Sequence, residues 1–175
     1  MFRRTLTPHL FIFGVVLSAS AEIELKDVQD LLRTGQYERC IKQVDTARGE
    51  GRTGVEWDLA KARAQLALGL HKPAMESVGG NLLRHHFSLR AKWLAHEIFL
   101  RNGNLEMARA QLDRIYRLGG SFHINFWDPP ELVTLGRTLL ELGAEPKVVL
   151  ENFFDKALET DPDCLDAYLA SGQLA

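Results

Sequence analysis

A chain of 175 residues that is 46% hydrophobic, 25% charged and 9% aromatic can bury a real core, and its composition is not that of a disordered segment. A formal net charge of −2 offers no concentrated basic surface, so nucleic acid is not expected as a partner. Two cysteines exclude a disulfide-dense scaffold and a four-cysteine zinc site.

The chain opens with Arg3 and Arg4, then runs from Leu10 to Ala21 (LFIFGVVLSASA) without a charge. Ala19-Ser20-Ala21 supplies the small-x-small pattern of a signal peptidase site, and Glu22 begins a charged region. Residues 1–21 are therefore expected to be a secretory signal peptide. A bilayer span needs about 20 apolar residues, so no membrane insertion is expected once the leader is cleaved. The remaining chain, 22–175, is expected to be exported to a periplasm or the extracellular space.

A period governs that remaining chain. Gly35, Gly69 and Gly103 fall at intervals of 34 residues. Three residues before them stand Leu32, Leu66 and Leu100; five after stand the small residues Cys40, Ala74 and Ala108; nine after stand Val44, Val78 and Leu112. Each unit predicts two helices around a glycine that takes the left-handed conformation and lets the chain reverse. Val28, Leu31 and Leu32 mark the first helix of unit one, and Tyr37, Cys40, Ile41, Val44 and Ala47 the second. In unit two Pro73 suits a helix's first turn. In unit three the stripes are Ala91, Trp93, Leu94, Ala95, Ile98 and Phe99, then Leu105, Ala108, Leu112, Ile115 and Tyr116.

Between units three and four lies Ser121–Trp127, mostly apolar, expected to pack across the array with Trp127 as a hydrophobic staple rather than to form a contact site. Asp128-Pro129-Pro130-Glu131 predicts a helix start, with Asp128 as cap and Glu131 at the reciprocal capping-box position. Gly143 is the fourth hinge, six residues later than strict periodicity would place it. Leu150, Phe153, Phe154, Ala157 and Leu158 form the stripe of the following helix, which ends at Asp161-Pro162. The units span about 22–50, 55–86, 89–119 and 129–162, with an incomplete fifth at 165–175. A solenoid normally ends in a polar cap, so this apolar half-unit points to the front of a longer protein.

These 34-residue helix–turn–helix units resemble the tetratricopeptide repeat (TPR). Leu135-Gly136, Phe154, Ala157 and Pro162 carry the likeness best, joined by Tyr37, Ala74, Ala108, Tyr168 and Gly172. Val28, Ala62 and His96 replace the first-helix glycine in three units, and Gln65 replaces an aromatic, so the repeats are degenerate. The resemblance implies an all-α superhelix over residues 22–175, a TPR-like solenoid of antiparallel helix pairs.

Little chemistry competes with that architecture. His96-Glu97 is not the start of a zinc-protease motif, because Leu100 stands where the second histidine belongs. His85 and His86 with His96 are read as solvated or core histidines rather than ligands, and His96 as a buried, hydrogen-bonded one. Cys40 is expected as a buried thiol, and its separation from Cys164 along the stack argues against a disulfide. No phosphate loop, nucleophile elbow or carboxylate pair is present. An enzyme, a cofactor and a metal are all not expected.

The resemblance also implies that first helices line a concave face. Positions ten, six, three and two before each hinge give Leu25, Gln29, Leu32 and Arg33; Leu59, Arg63, Leu66 and Ala67; Trp93, Glu97, Leu100 and Arg101; and Val133, Arg137, Leu140 and Glu141. One arginine per unit suits carboxylates, and arginine and tryptophan dominate interface energies. Arg33, Arg63, Trp93, Glu97, Arg101 and Arg137 are thus the candidate partner-binding residues, for a protein or peptide segment bearing acidic groups. The lysine and asparagine of the family's carboxylate clamp are absent. The expected function is a non-catalytic, exported protein–protein interaction scaffold. Two alternatives are the repeat region of a larger exported enzyme, such as a peptidase with its catalytic domain beyond residue 175, and a carbohydrate- or envelope-associated assembly factor.

Overall fold

The computed structural model describes residues 23–120 and 128–174, and every regular element among them is helical. Residues 1–22, with the expected signal peptide, the Ser121–Trp127 segment and Ala175 lie outside the described residues. Three helix pairs come first: α1 (Leu25–Arg33) with α2 (Tyr37–Gly49), α3 (Val55–Ala67) with α4 (His71–Arg84), and α5 (Leu89–Arg101) with α6 (Leu105–Gly119). In the fourth, α7 (Pro129–Glu141) precedes a continuous helical path of α8 (Pro146–Val149), a π-helical turn (Leu150–Phe154) and α9 (Asp155–Thr160). α10 (Leu165–Gly172) follows. None of the described helices is long and apolar enough to cross a membrane.

The hinges have the geometry expected of them. Gly35, Gly69, Gly103 and Gly143 carry φ of +75°, +72°, +72° and +91°. At each, the glycine N–H and the next N–H reach back to close the last helical turn. Gly103 donates to the Leu100 carbonyl at 2.9 Å, and Asn104 to the Phe99 carbonyl at 2.9 Å. Gly35 and Gly69 use the carbonyls of Leu32 and Leu66 in the same way. These paired bonds satisfy carbonyls that a helix end leaves orphaned. The three leucines thus hold equivalent backbone places, but their side chains diverge: Leu66 is buried, whereas Leu100 is 44% exposed.

The core is a chain of clusters, each shared by neighbouring pairs. α3 is apolar on two faces: Trp57, Ala60 and Ala64 pack with Val28, Leu31, Cys40, Val44 and Ala47 of the first pair. Leu59, Ala62 and Leu66 on its other face join Ala74, Val78, Ala91, Leu94, Ala95 and Ile98. Each helix pair buries its second face only because the next pair is present, as in other repeat arrays. Charged groups join the same elements. Asp58 of α3, almost fully buried, pairs with Arg48 of α2, with Arg84 of α4 at 3.1 Å and with the His85 ring at 3.3 Å. Cys40 and Cys164 are buried free thiols. His96 is buried, with Nδ1 3.0 Å from the Ala108 carbonyl.

The fourth pair departs from the others for a packing reason. Its second helix buries Phe154 fully, eleven residues after the hinge, and Gly136 lies against the ring. A Cβ on Gly136 would fall 2.5 Å from Phe154 Cε1 and 3.1 Å from Val149 Cγ1. A π turn carries an extra residue within a helix, and here it spans Leu150–Phe154, where the large ring enters the core. The expected capping box at Asp128 is not formed. Asp128 occupies the N-cap position of α7, but its side chain makes no capping bond. Glu131 reaches instead to α5, accepting the Leu89 N–H at 2.9 Å and the Ser88 hydroxyl at 3.2 Å. Local spacing favoured a bond within one helix, but the N-terminus of α5 offered a buried donor with no partner in its own helix.

Three glycines separate these causes. Gly136→Ala should lower stability by about 1–3 kcal/mol through overpacking, and Gly103→Ala by about 1–2 kcal/mol through its positive φ. Gly79→Ala, in mid-α4 where an added methyl would meet nothing within 4 Å, should raise stability by up to about 1 kcal/mol. Urea unfolding followed by circular dichroism measures all three.

Candidate concave binding face

The first helix of each pair turns one face inward, and residues seven apart share that face. Gln29, Arg63, Glu97 and Arg137 stand six residues before their hinges; Glu56, Arg90 and Pro130 stand thirteen before theirs. Charge alternates from pair to pair. Arg90 of α5 makes a two-pronged ion pair with Glu56 of α3, its second contact being 3.0 Å. This arginine is engaged in joining repeats. The inner face is therefore of mixed charge.

Two cavities open on this face. The larger, about 540 Å³, is lined by Lys26, Gln29, Asp30 and Arg33 of α1, by Arg63, Arg90 and Pro130, by Asp161, Asp163 and Cys164 of the connection before α10, and by Leu165 and Asp166 at the start of α10. Curvature of the array thus sets its first helix opposite its last connection. Arg63, part-buried, lines the cavity and has no hydrogen bond or ion pair among the described residues. Burial lowers its pKa from the usual arginine value, and Arg90 lowers it further; Asp166, Glu97 and Glu56 act in opposition. Arg33 is at the rim, paired with Asp30 at 2.8 Å.

The smaller cavity, about 200 Å³, is lined by Trp93, Glu97, Arg137, Leu140, Glu141 and Gln173. Trp93 packs on the His96 ring with centroids 5.3 Å apart. Arg137 donates from Nη2 to the Asp166 carbonyl at 3.4 Å, and its Nε is buried without a hydrogen-bond partner.

The sequence-derived candidates are thus divided. Arg33 and Arg63 share the larger cavity, while Trp93, Glu97 and Arg137 share the smaller. Arg101 is exposed at the end of α5 and lines neither. Leu59 and Val133, each 1% exposed, and buried Leu66 belong to the core rather than the lining. Lys26, Asp30, Arg90 and the Asp161–Asp166 connection were not foreseen. The seven-residue spacing from Arg90 to Glu97 was a usable signal; nothing local marked the acidic connection. Among the described residues no three His, Cys, Asp or Glu side chains are grouped to hold a metal.

With the geometry in place, the class of the fold is clear: stacked helix pairs of the TPR type. The chain is similar to a thermophilic TPR protein of Thermus thermophilus, with a TM-score of 0.50 and 20% identity over 86% of this chain and 96% of that one. The C-terminal part of a TPR repeat-containing protein from Cytophaga hutchinsonii gives a TM-score of 0.44 and 16% identity, over 86% of this chain and 70% of that one. No protein-family model matches the sequence, and none of the curated proteins matches it.

Glu131 joins α7 to the start of α5. Burial raises its carboxyl above the ordinary glutamate range, against the pull of Arg90, the Leu89 N–H and the Ser88 hydroxyl. A raised carboxyl pKa means that the folded state takes up the proton first. The stabilisation linked to it is complete below the ordinary glutamate pKa and is lost as pH rises through the folded value. Urea midpoints of wild type minus Glu131→Gln should therefore fall across that interval, and a flat difference would remove this linkage. Glu131→Ala, which loses the bonds to α5, should cost about 1 kcal/mol.

Proposed function

We propose that the protein is a non-catalytic interaction scaffold that takes an extended or helical protein segment into its concave face. The observation that carries this is Arg63, a part-buried guanidinium without a hydrogen-bonded partner among the described residues, lining a cavity of about 540 Å³. A guanidinium fork suits a carboxylate, and the segment is taken to present an acidic group there. The TPR-type fold supports a protein partner over a small metabolite, since its inner face is long, open and built from several repeats.

The leader-like pattern of residues 1–21 supports export. N-terminal sequencing of the protein recovered from the periplasm or medium should begin at Glu22. Recovery of the uncleaved chain from the cytosol alone would overturn that part.

A photo-crosslinking residue at Gln29 tests the groove directly, with the same residue at exposed Glu76 of α4 as control. In the native host, a discrete adduct should form from position 29 and not from position 76. Arg63→Ala should reduce it roughly tenfold, as expected for loss of a central interface arginine, with helicity unchanged. Equal adducts at both positions, or none at position 29, would count against the groove.

A further inference from the structure

The smaller cavity has a chemistry opposite to that of Arg63. Trp93 and Glu97 are one helical turn apart on α5, so ring and carboxylate meet the cavity from one side. Glu141, at the end of α7, brings a second carboxylate, and Leu140 an aliphatic wall. Neither Glu97 nor Glu141 has an ion-pair partner among the described residues. Glu97 is close enough to act on Arg63 electrostatically, but the two are not an ion pair.

Arg137 also lines this cavity, and its charge opposes a cation. Its Nη2 bond to the Asp166 carbonyl draws the guanidinium toward α10, and two carboxylates outnumber it. Arg137 offsets one carboxylate, so the cavity keeps one more negative than positive group. A cation would balance it beside the Trp93 indole.

Resting on the groove reading above, we propose that this cavity receives a lysine or arginine side chain from the same segment whose acidic group meets Arg63. The recognised segment is then a mixed-charge one, with its basic and acidic residues held in adjacent cavities of the inner face. The alternating charges of the repeats read that pattern. Trp93 and the two glutamates set the basic position, and Arg63 sets the acidic one.

The test uses a random peptide library displayed on phage and selected against the full protein. Selected peptides should be enriched in both an acidic and a basic residue. Each synthetic lysine peptide should bind about tenfold more tightly than its norleucine counterpart, the size of a partly desolvated cation–aromatic and ion-pair contact. That difference should shrink several-fold on the Glu97→Gln, Glu141→Gln double variant, which keeps only the Trp93 contact, with its thermal melt unchanged. The norleucine comparison on wild-type protein needs no variant, so it stands even if the double variant misfolds. Peptides enriched in acid alone, weakened by Arg63→Ala but indifferent to norleucine, would overturn the basic cavity and leave the groove standing. A library that yields no binding peptide would overturn both.

Discussion

A helix pair can bury one face against its own partner, but the other remains apolar until a second pair covers it. Everything else in this molecule depends on that unmet burial. α3 shows it most plainly, with Trp57, Ala60 and Ala64 against the first pair while Leu59, Ala62 and Leu66 serve the next cluster. Stacking is useful only if every pair reverses with the same geometry. The left-handed glycines supply that constancy, because a side chain at φ near +70° would meet the following carbonyl. Constant hinges and covered faces give a curved array, and the curvature gives the inner face its depth.

The fourth pair shows how far a repeat can vary before the array fails. Fully buried Phe154 fills volume at a close helix contact. Gly136 removes the opposing side chain, and the π turn spans the helix segment that presents the ring. Glu131 makes a similar exchange, leaving its own helix start for the N-terminus of α5. Both are compensations between pairs rather than within one. They keep the stack continuous beside the longer connection.

Charge on the inner face does two jobs. Arg90 with Glu56 joins adjacent first helices, a part-exposed pair of modest worth to stability that fixes how the two lie against each other. Arg63, Glu97 and Glu141 are left without ion pairs among the described residues, and they occupy the cavities. An alternating ladder is a natural source of both roles. Where neighbouring repeats approach, opposite charges pair; where the array curves away from them, they face the cavity.

The architecture was legible from spacing alone. Hinge glycines, small residues such as Ala74 and Ala108, and aliphatic stripes are local consequences of helix geometry, so a repeat of 34 exposes them without any tertiary knowledge. The inner-face residues Arg63, Glu97 and Arg137 were legible for the same reason, since position on a helix face follows from number. Their environment was not. Whether Leu66 is core and Leu100 exposed, whether Glu131 caps its own helix or another, and which acids face Arg63 all depend on contacts between residues distant in the chain. Asp166 approaches Arg63 only because small rotations accumulate from pair to pair, and no local pattern encodes their sum.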